Sequence, residues 1–210
     1  MTASPLQPVR FNRIELRDFR NLADVAFDPA PKLNVVFGDN GQGKTSLLES
    51  LYFVATTRSF RSERLQTLIR QGAGPAIVRA DVEESGYRRE QRALLSKAGR
   101  RMSLDGKRPE RLIDYALKTP VVAFHPNDLE LVSGSASTRR RLLDRVALYV
   151  DPSGFERRGL FERAAKERQR VLLDRGEHAP ELEAYEALIA EHGARWQTAR
   201  ERAAGALIAA

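Results

Sequence analysis

Eight consecutive residues, Gly38-Asp39-Asn40-Gly41-Gln42-Gly43-Lys44-Thr45, complete the pattern G-x-x-x-x-G-K-[ST]. No other feature of the chain restricts its fold as strongly. The loop's backbone N–H groups must turn inward around phosphates, which glycines at this spacing permit, and the loop must leave a strand and open a helix. Both flanks read that way. Leu33-Asn34-Val35-Val36-Phe37 is a short apolar, β-branched run, expected as a buried strand feeding the loop. From Ser46 onward, Leu47, Leu48, Leu51, Tyr52, Val54 and Ala55 recur at helical spacing with no intervening Gly or Pro. The expected helix start sets its partial positive charge against a nucleoside triphosphate. Lys44 adds a point charge on the β/γ oxygens, and the Thr45 hydroxyl is the candidate Mg2+ ligand.

The bulk properties narrow the setting. A chain of 210 residues can bury one large core or two small ones. It has no cysteine, which excludes a disulfide framework and a thiolate metal site and suits a reducing compartment. Met1–Pro8 lacks the apolar core of a signal peptide, and no stretch reaches membrane-spanning length, so a cytoplasmic protein is expected. The net charge of +7 favours polyanionic partners. Arginine outnumbers lysine 29 to 6, which fits phosphate recognition and equally fits a compositional bias of the genome.

Two regimes follow one another, with the change placed near residue 135. The first mixes strands and short helices: strands over Arg13–Arg20 and around Val25 and Phe27, a short helix from Ser62 to Arg70 capped by Ser62, and strands at Ala76–Glu83, Arg88–Ser96 and Arg101–Leu104. Asp105-Gly106 is a hairpin-turn signal, Leu112–Leu117 reads as a helix and Pro120–Phe124 as another buried strand. The second regime is helical, over Thr138–Tyr149, onward from Pro152 through Leu173, and from Glu181 to Leu207. The apolar stripe of the last helix, Leu182, Tyr185, Leu188, Ile189, Trp196, Ala203 and Leu207, reads as core packing in an αα-hairpin. The expected domains are 1–134, the nucleotide-binding lobe, and 135–210, an incomplete helical lobe.

A phosphate-loop ATPase also needs an acid at a strand end to hold Mg2+. Val146–Asp151 has the outline but is followed by Pro152 and preceded by a helical pattern, and the strand Val121–Phe124 has its acid displaced to Asp128. Neither completes the catalytic apparatus. The three histidines have no second ligand at metal spacing and read as structural.

Several further segments share one pattern: Phe19-Arg20-Asn21-Leu22, the loop with Leu47-Leu48-Glu49, Arg58-Ser59-Phe60-Arg61, Asn127–Val132 with Gly134-Ser135, and Arg139–Asp144. In this order, from about residue 10 to about 175, they resemble the RecF family, whose ATPase head is similar to those of SMC proteins and ABC ATPases. The chain departs from the family pattern in two places. Thr57 stands where glycine is usual, and His125 and Asn127 replace small and acidic residues around Pro126.

The resemblance implies an α/β fold, an ABC/SMC-type ATPase head lobe with a mixed sheet followed by a helical second lobe. It places the signature motif and the Mg2+ acid C-terminal to these residues, so the chain is expected to be truncated at its C-terminus. It also implies roles. Arg20 and Asn21 would approach the adenine and α-phosphate, Asn40 would orient a γ-phosphate oxygen or the attacking water, and Asp128 would sense the γ-phosphate near the metal. Alternatively, Asn21 caps a turn and Asp128 caps the helix that starts near Leu129. Arg58, Arg61 and Arg64 are candidate DNA-phosphate contacts. Arg139, Arg140, Arg141 and Arg145 form a second basic cluster, at least one of them expected on an acid such as Asp144.

The function implied is an ATP- and Mg2+-dependent DNA-binding recombination and repair mediator. It would act as an ATP-gated homodimeric clamp at gapped or single-stranded DNA, with RecR- and RecO-like protein partners and slow DNA-stimulated hydrolysis. Replication restart and the SOS response are the processes implied. The competing reading of the same loop is a kinase or other metabolic phosphotransferase, which would need an arginine-rich lid and an acid for the acceptor hydroxyl.

Overall fold

Residues 9–210 are described by a computed structural model of the chain. It divides into two compact units, with the boundary between Phe124 and His125 rather than near residue 135.

The first unit is built on a five-stranded sheet. Strands β1 (Val9–Phe19) and β2 (Leu22–Phe27) form a hairpin; β3 (Ala76–Glu84), β4 (Tyr87–Ser96) and β5 (Gly99–Leu104) follow after helix α1 (Lys44–Thr56). The order is β2-β1-β3-β4-β5. Every pairing among the described residues is antiparallel, where a mixed sheet was expected. Alternation sorts the faces: Ala76, Val78, Ala80 and Val82 of β3 are buried under α1 while their neighbours are only partly covered. Ile14, Leu16 and Phe19 all reach this core although Phe19 is out of step with the alternation. Asp18, at φ 52, supplies the local twist. Asp105-Gly106, at φ 50 and 75, makes the tight turn that its sequence predicts, with Leu104 bridged to Lys107.

The mixed sheet is missing because two expected strands do not form. Leu33–Phe37 and Pro120–Phe124 have no ladder partner and no strand conformation. Phe37 is 89% exposed and Val122 98%. A strand is a pairwise structure, and neither run pairs with any described segment. The expected helix at Ser62–Arg70 is likewise only a 3-10 turn, Leu65–Leu68, preceded by Ser62, whose hydroxyl accepts the Arg64 N–H at 3.1 Å. Helix α2 (Leu112–Leu117) stands where the sequence places it, and the buried Tyr115 hydroxyl donates to the Val54 carbonyl at 2.6 Å.

In the second unit, α3 (Glu130–Ser133) leads into α4 (Ala136–Val150), α5 (Pro152–Arg175) and α6 (Glu181–Ile208). Pro152 occupies the first turn of α5, where its missing N–H is harmless. Helices α5 and α6 pair as an αα-hairpin, with Phe161 against Trp196 at 5.3 Å and Arg168 on Glu186. Asp144 of α4 is buried at the hub: it accepts from Trp196 Nε1 at 2.8 Å and Arg200 Nε at 2.7 Å, with Arg158 at 3.3 Å. The expected partners, Arg139, Arg140, Arg141 and Arg145, meet no carboxylate among the described residues. Asp144 points inward while these arginines stay at the surface; Arg139 bonds the Gly134 carbonyl and Arg141 the Thr138 hydroxyl. Val146–Val150, weighed as a metal-acid strand, is helix, and Asp151 is the N-cap of α5, accepting the Gly154 N–H at 2.9 Å and pairing with Arg202.

Candidate nucleotide-binding site

Gly38–Thr45 wraps over the N-terminus of α1. Gly43 caps the helix at φ 101, and a Cβ there would lie 2.5 Å from Leu22 Cδ2, so both the conformation and the space require glycine. Gly38, at φ 141, is similarly hemmed in by the Gln42 side chain. Asp39 and Gln42 tie across the loop: the Asp39 N–H donates to Gln42 Oε1 at 3.1 Å and Gln42 Nε2 to Asp39 Oδ2 at 3.3 Å. Lys44 folds back so that Nζ donates to the carbonyls of Gly38 and Asp39 at 2.6 and 2.7 Å, which parks its charge at the mouth of the loop. Asn40 and Thr45 are exposed, and neither side chain has a hydrogen-bond partner among the described residues.

The start of α1 has no side-chain cap and no acid in its first turn. Its first N–H groups are therefore unclaimed, and their summed dipole favours an anion held there. The chemistry on offer is phosphate cradling by backbone, an ammonium beside it, and a free hydroxyl at Thr45.

Behind the loop lies a polar scaffold. Asn21, in the β1–β2 turn, donates from Nδ2 to the Gly41 carbonyl at 2.7 Å and accepts the Ser46 hydroxyl at 2.8 Å, so it joins the loop to its helix. Arg20, at φ 56, places its guanidinium on Glu49: Nη2 lies 2.7 Å from Oε1 and Nε 2.9 Å from Oε2, while Nη1 reaches the Thr67 carbonyl. Glu49 is fully buried and also accepts the Ser59 hydroxyl at 2.5 Å, with Arg61 at 3.5 Å. The expectation for Arg20 and Asn21 is thereby altered. Every nitrogen of Arg20 already donates, and Asn21 grips the loop itself, so both position the nucleotide cradle rather than reach past it. Sequence reasoning quoted Glu49 only as part of the family resemblance and assigned no role to it or to Ser46. The available signal was a carboxylate at i+3 from Ser46 and i−4 from Phe53, on the face that must be buried and that therefore needs a cation.

After α1 the chain turns at Thr57, which is buried and left-handed, at φ 64. This is the conformation a glycine would adopt freely, and a β-branched residue holds it at a cost of about 1–3 kcal/mol. Of the three candidate arginines that follow, Arg61 shares Glu49, whereas Arg58 and Arg64 extend into solvent without an acid. Asp128 belongs to the second unit. It caps the 3-10 turn Pro126–Leu129, not the helix after it: Oδ2 accepts the His125 N–H at 2.8 Å, a reach back of three residues in the manner of a capping box. Among the described residues no group of His, Asp or Glu is arranged to hold a metal ion, and no helix is long and apolar enough to cross a membrane.

Comparison with known proteins agrees with this architecture. The RecF/RecN/SMC N terminal domain model matches residues 10–116. The chain is 38% identical over 188 residues to the DNA replication and repair protein RecF of Myxococcus xanthus, covering 89% of this chain and 50% of that protein. It is 40% identical over 183 residues to RecF of Anaeromyxobacter sp. strain Fw109-5, covering 87% and 49% respectively. Among solved structures, that of the recombination mediator protein RecF-ATPrS in the RecFOR pathway superposes with a TM-score of 0.86 at 25% identity, over 93% of this chain and 54% of that one. The chain thus spans about half the length of the relatives it matches.

Proposed function

Because the chain belongs to the RecF/RecN/SMC N-terminal domain family, we propose that it forms the ATP-binding portion of a DNA replication and repair protein that acts as an ATP-gated dimeric clamp. The observation that carries this reading is the uncapped start of α1, with its glycine cradle, Lys44 and the free Thr45 hydroxyl together at one end of the helix. A triphosphate would lie against the free N–H groups. Lys44 would exchange the Gly38 and Asp39 carbonyls for phosphate oxygens, and Thr45 would hold the Mg2+, whose charge offsets that of the phosphates. In the clamp, nucleotide between two heads closes the dimer on gapped or single-stranded DNA and slow hydrolysis reopens it. RecR- and RecO-like mediators are the proposed protein partners and the cytoplasm the proposed location.

The kinase reading has less support: Arg61, part of the segment that would serve as its lid, is turned back on the buried Glu49. The test is a calorimetric titration of the chain with Mg-ATP alongside Lys44→Ala. Lys44 ends on backbone carbonyls at the surface, so the variant should keep the parent's melting temperature and lose at least about tenfold in affinity, as expected for removing a charged phosphate contact of about 1.4 kcal/mol or more. Equal affinities would refute the assignment.

A further inference from the structure

Helix α4 carries Arg139, Arg140, Arg141 and Arg145 against a single acid, Asp144. That acid is taken by other helices: Trp196 Nε1 and Arg200 Nε donate to its Oδ1 at 2.8 and 2.7 Å, and Arg158 lies 3.3 Å from Oδ2. The same contacts fix the rotation of α4. Asp144 and Ala147 are buried, Ala147 in a cluster with Ala199 and Ala203 of α6. Arg141 and Arg145, at i and i+4, share a neighbouring flank of the helix. Arg141 is exposed and Arg145 half-buried.

Arg139 donates to the Gly134 carbonyl at 3.0 Å and Arg141 to the Thr138 hydroxyl at 3.4 Å, contacts that orient a guanidinium without neutralising it. The arginines of the adjoining helices are treated differently. Arg168 meets Glu186 at 2.7 Å, Arg170 meets Glu167 at 2.6 Å, Arg195 meets Glu191 at 3.4 Å and Arg202 meets Asp151 at 2.6 Å. Arg157 and Arg163 of α5 also stand without an acid, but their six-residue spacing puts them on different faces. The α4 arrangement works against its own helix. Like charges at i and i+4 repel, and the arginine run lies toward the N-terminal end, where the helix dipole disfavours cations. Helix stability therefore does not account for it. An anionic chain does: the Cβ atoms of an i, i+4 pair lie about 5–6 Å apart, and each DNA strand carries one charge per about 3.4 Å of axis. Two planar forks on one flank can thus grip neighbouring phosphates of one strand.

We propose that the Arg141/Arg145 flank of α4 is a contact surface for the phosphate backbone of a nucleic acid. The inference rests on the DNA-binding part of the function proposed above, and it places a share of that binding in the second unit, on a helix whose one acid is held by Arg158, Arg200 and Trp196.

The test is DNA binding by the 210-residue chain, followed by fluorescence anisotropy on a labelled duplex and a labelled single strand over a range of about 50 to 200 mM NaCl. The variants are Arg141→Gln/Arg145→Gln and, as a control with the same charge change in the same unit, Arg170→Gln/Arg195→Gln, whose arginines meet Glu167 and Glu191. Loss of two phosphate contacts should flatten the slope of log K against log salt by about 1.8 on duplex or about 1.4 on single strand. The melting temperature should stay level or rise, because the like-charge pair is relieved. The control should leave the slope unchanged. An unaltered slope in the Arg141/Arg145 variant, an equal loss in the control, or a melting temperature lowered by several degrees overturns the assignment and leaves DNA binding itself standing. Polyglutamate that competes as well as unlabelled DNA of equal charge would make the flank a surface for acidic polypeptides and overturns it too. A parent chain that binds neither DNA overturns both this contact and the DNA half of the proposed function, while the Lys44 titration still decides the nucleotide half.

Discussion

Glu49 is the most consequential single side chain in the first unit. Its carboxylate is completely buried, takes two short bonds from Arg20 and one from Ser59, and lies within 3.5 Å of Arg61. Glu49→Ala removes the acceptor and leaves the Arg20 guanidinium, whose side chain is only 18% exposed, against a void. Breaking one side of a buried pair costs about 3–5 kcal/mol, and partial rehydration of Arg20 places this case near the lower end, at about 3 kcal/mol. With a urea m-value of about 2 kcal/mol/M, the midpoint should fall by about 1.5 M at constant m, followed by circular dichroism. The loss reaches the phosphate loop as well, because Arg20 fixes the turn from which Asn21 holds Gly41 and Ser46, so Mg-ATP affinity should drop with stability. A double-mutant cycle with Arg20→Met separates the pair from general cavity effects and should give a coupling of at least about 1.5 kcal/mol. A loss under about 1 kcal/mol, or a coupling near zero, would refute the view that this ion pair organises the site.

Two further outcomes follow from burial and capping. Phe53 is fully buried while Phe37 is 89% exposed. Phe53→Ala should therefore cost about 3–5 kcal/mol and Phe37→Ser less than about 0.5 kcal/mol in urea unfolding of the chain; comparable losses would show that Leu33–Phe37 is packed after all. The Gly154 N–H first, then Ser153 and Arg202, hold the Asp151 carboxyl below its ordinary value of 3.8. A depressed carboxylate contributes stability that is present above the unfolded-state value and lost as pH falls through the folded-state one. The acid limb of stability below about pH 4, read from Trp196 fluorescence, should accordingly be shallower in Asp151→Asn, which keeps a capping oxygen but cannot titrate; an unchanged limb would count against the assignment.

Sequence reasoning succeeded where the governing interactions are local. The phosphate loop was legible because backbone conformation, charge and helix start are all encoded within eight residues, and Gly43, Lys44 and Thr45 occupy the places the pattern demands. Helices α4, α5 and α6 were legible through a 3.6-residue period with Pro152 at a first turn, and the Asp105-Gly106 turn through its need for two positive φ angles. Relatedness, too, could be read from ordered motifs spread along the chain, and the family match over residues 10–116 covers the first three of them.

Tertiary structure decided the rest. Leu33–Phe37 and Pro120–Phe124 carry strand-forming side chains but find no strand partner among the described residues, since whether an apolar run becomes a strand depends on an edge supplied from elsewhere. Asp144 was expected to pair with arginines on its own helix, yet it meets Arg158 and Arg200, because helix packing turned it inward and left its neighbours outside. Glu49 meets Arg20 across 29 positions of sequence, a pairing that spacing along the chain does not reveal. Spacing along the chain reveals the geometry of a loop or a helix face. Which charges are left with no partner is determined only when distant segments fold together, and it is those charges that remain available to a ligand.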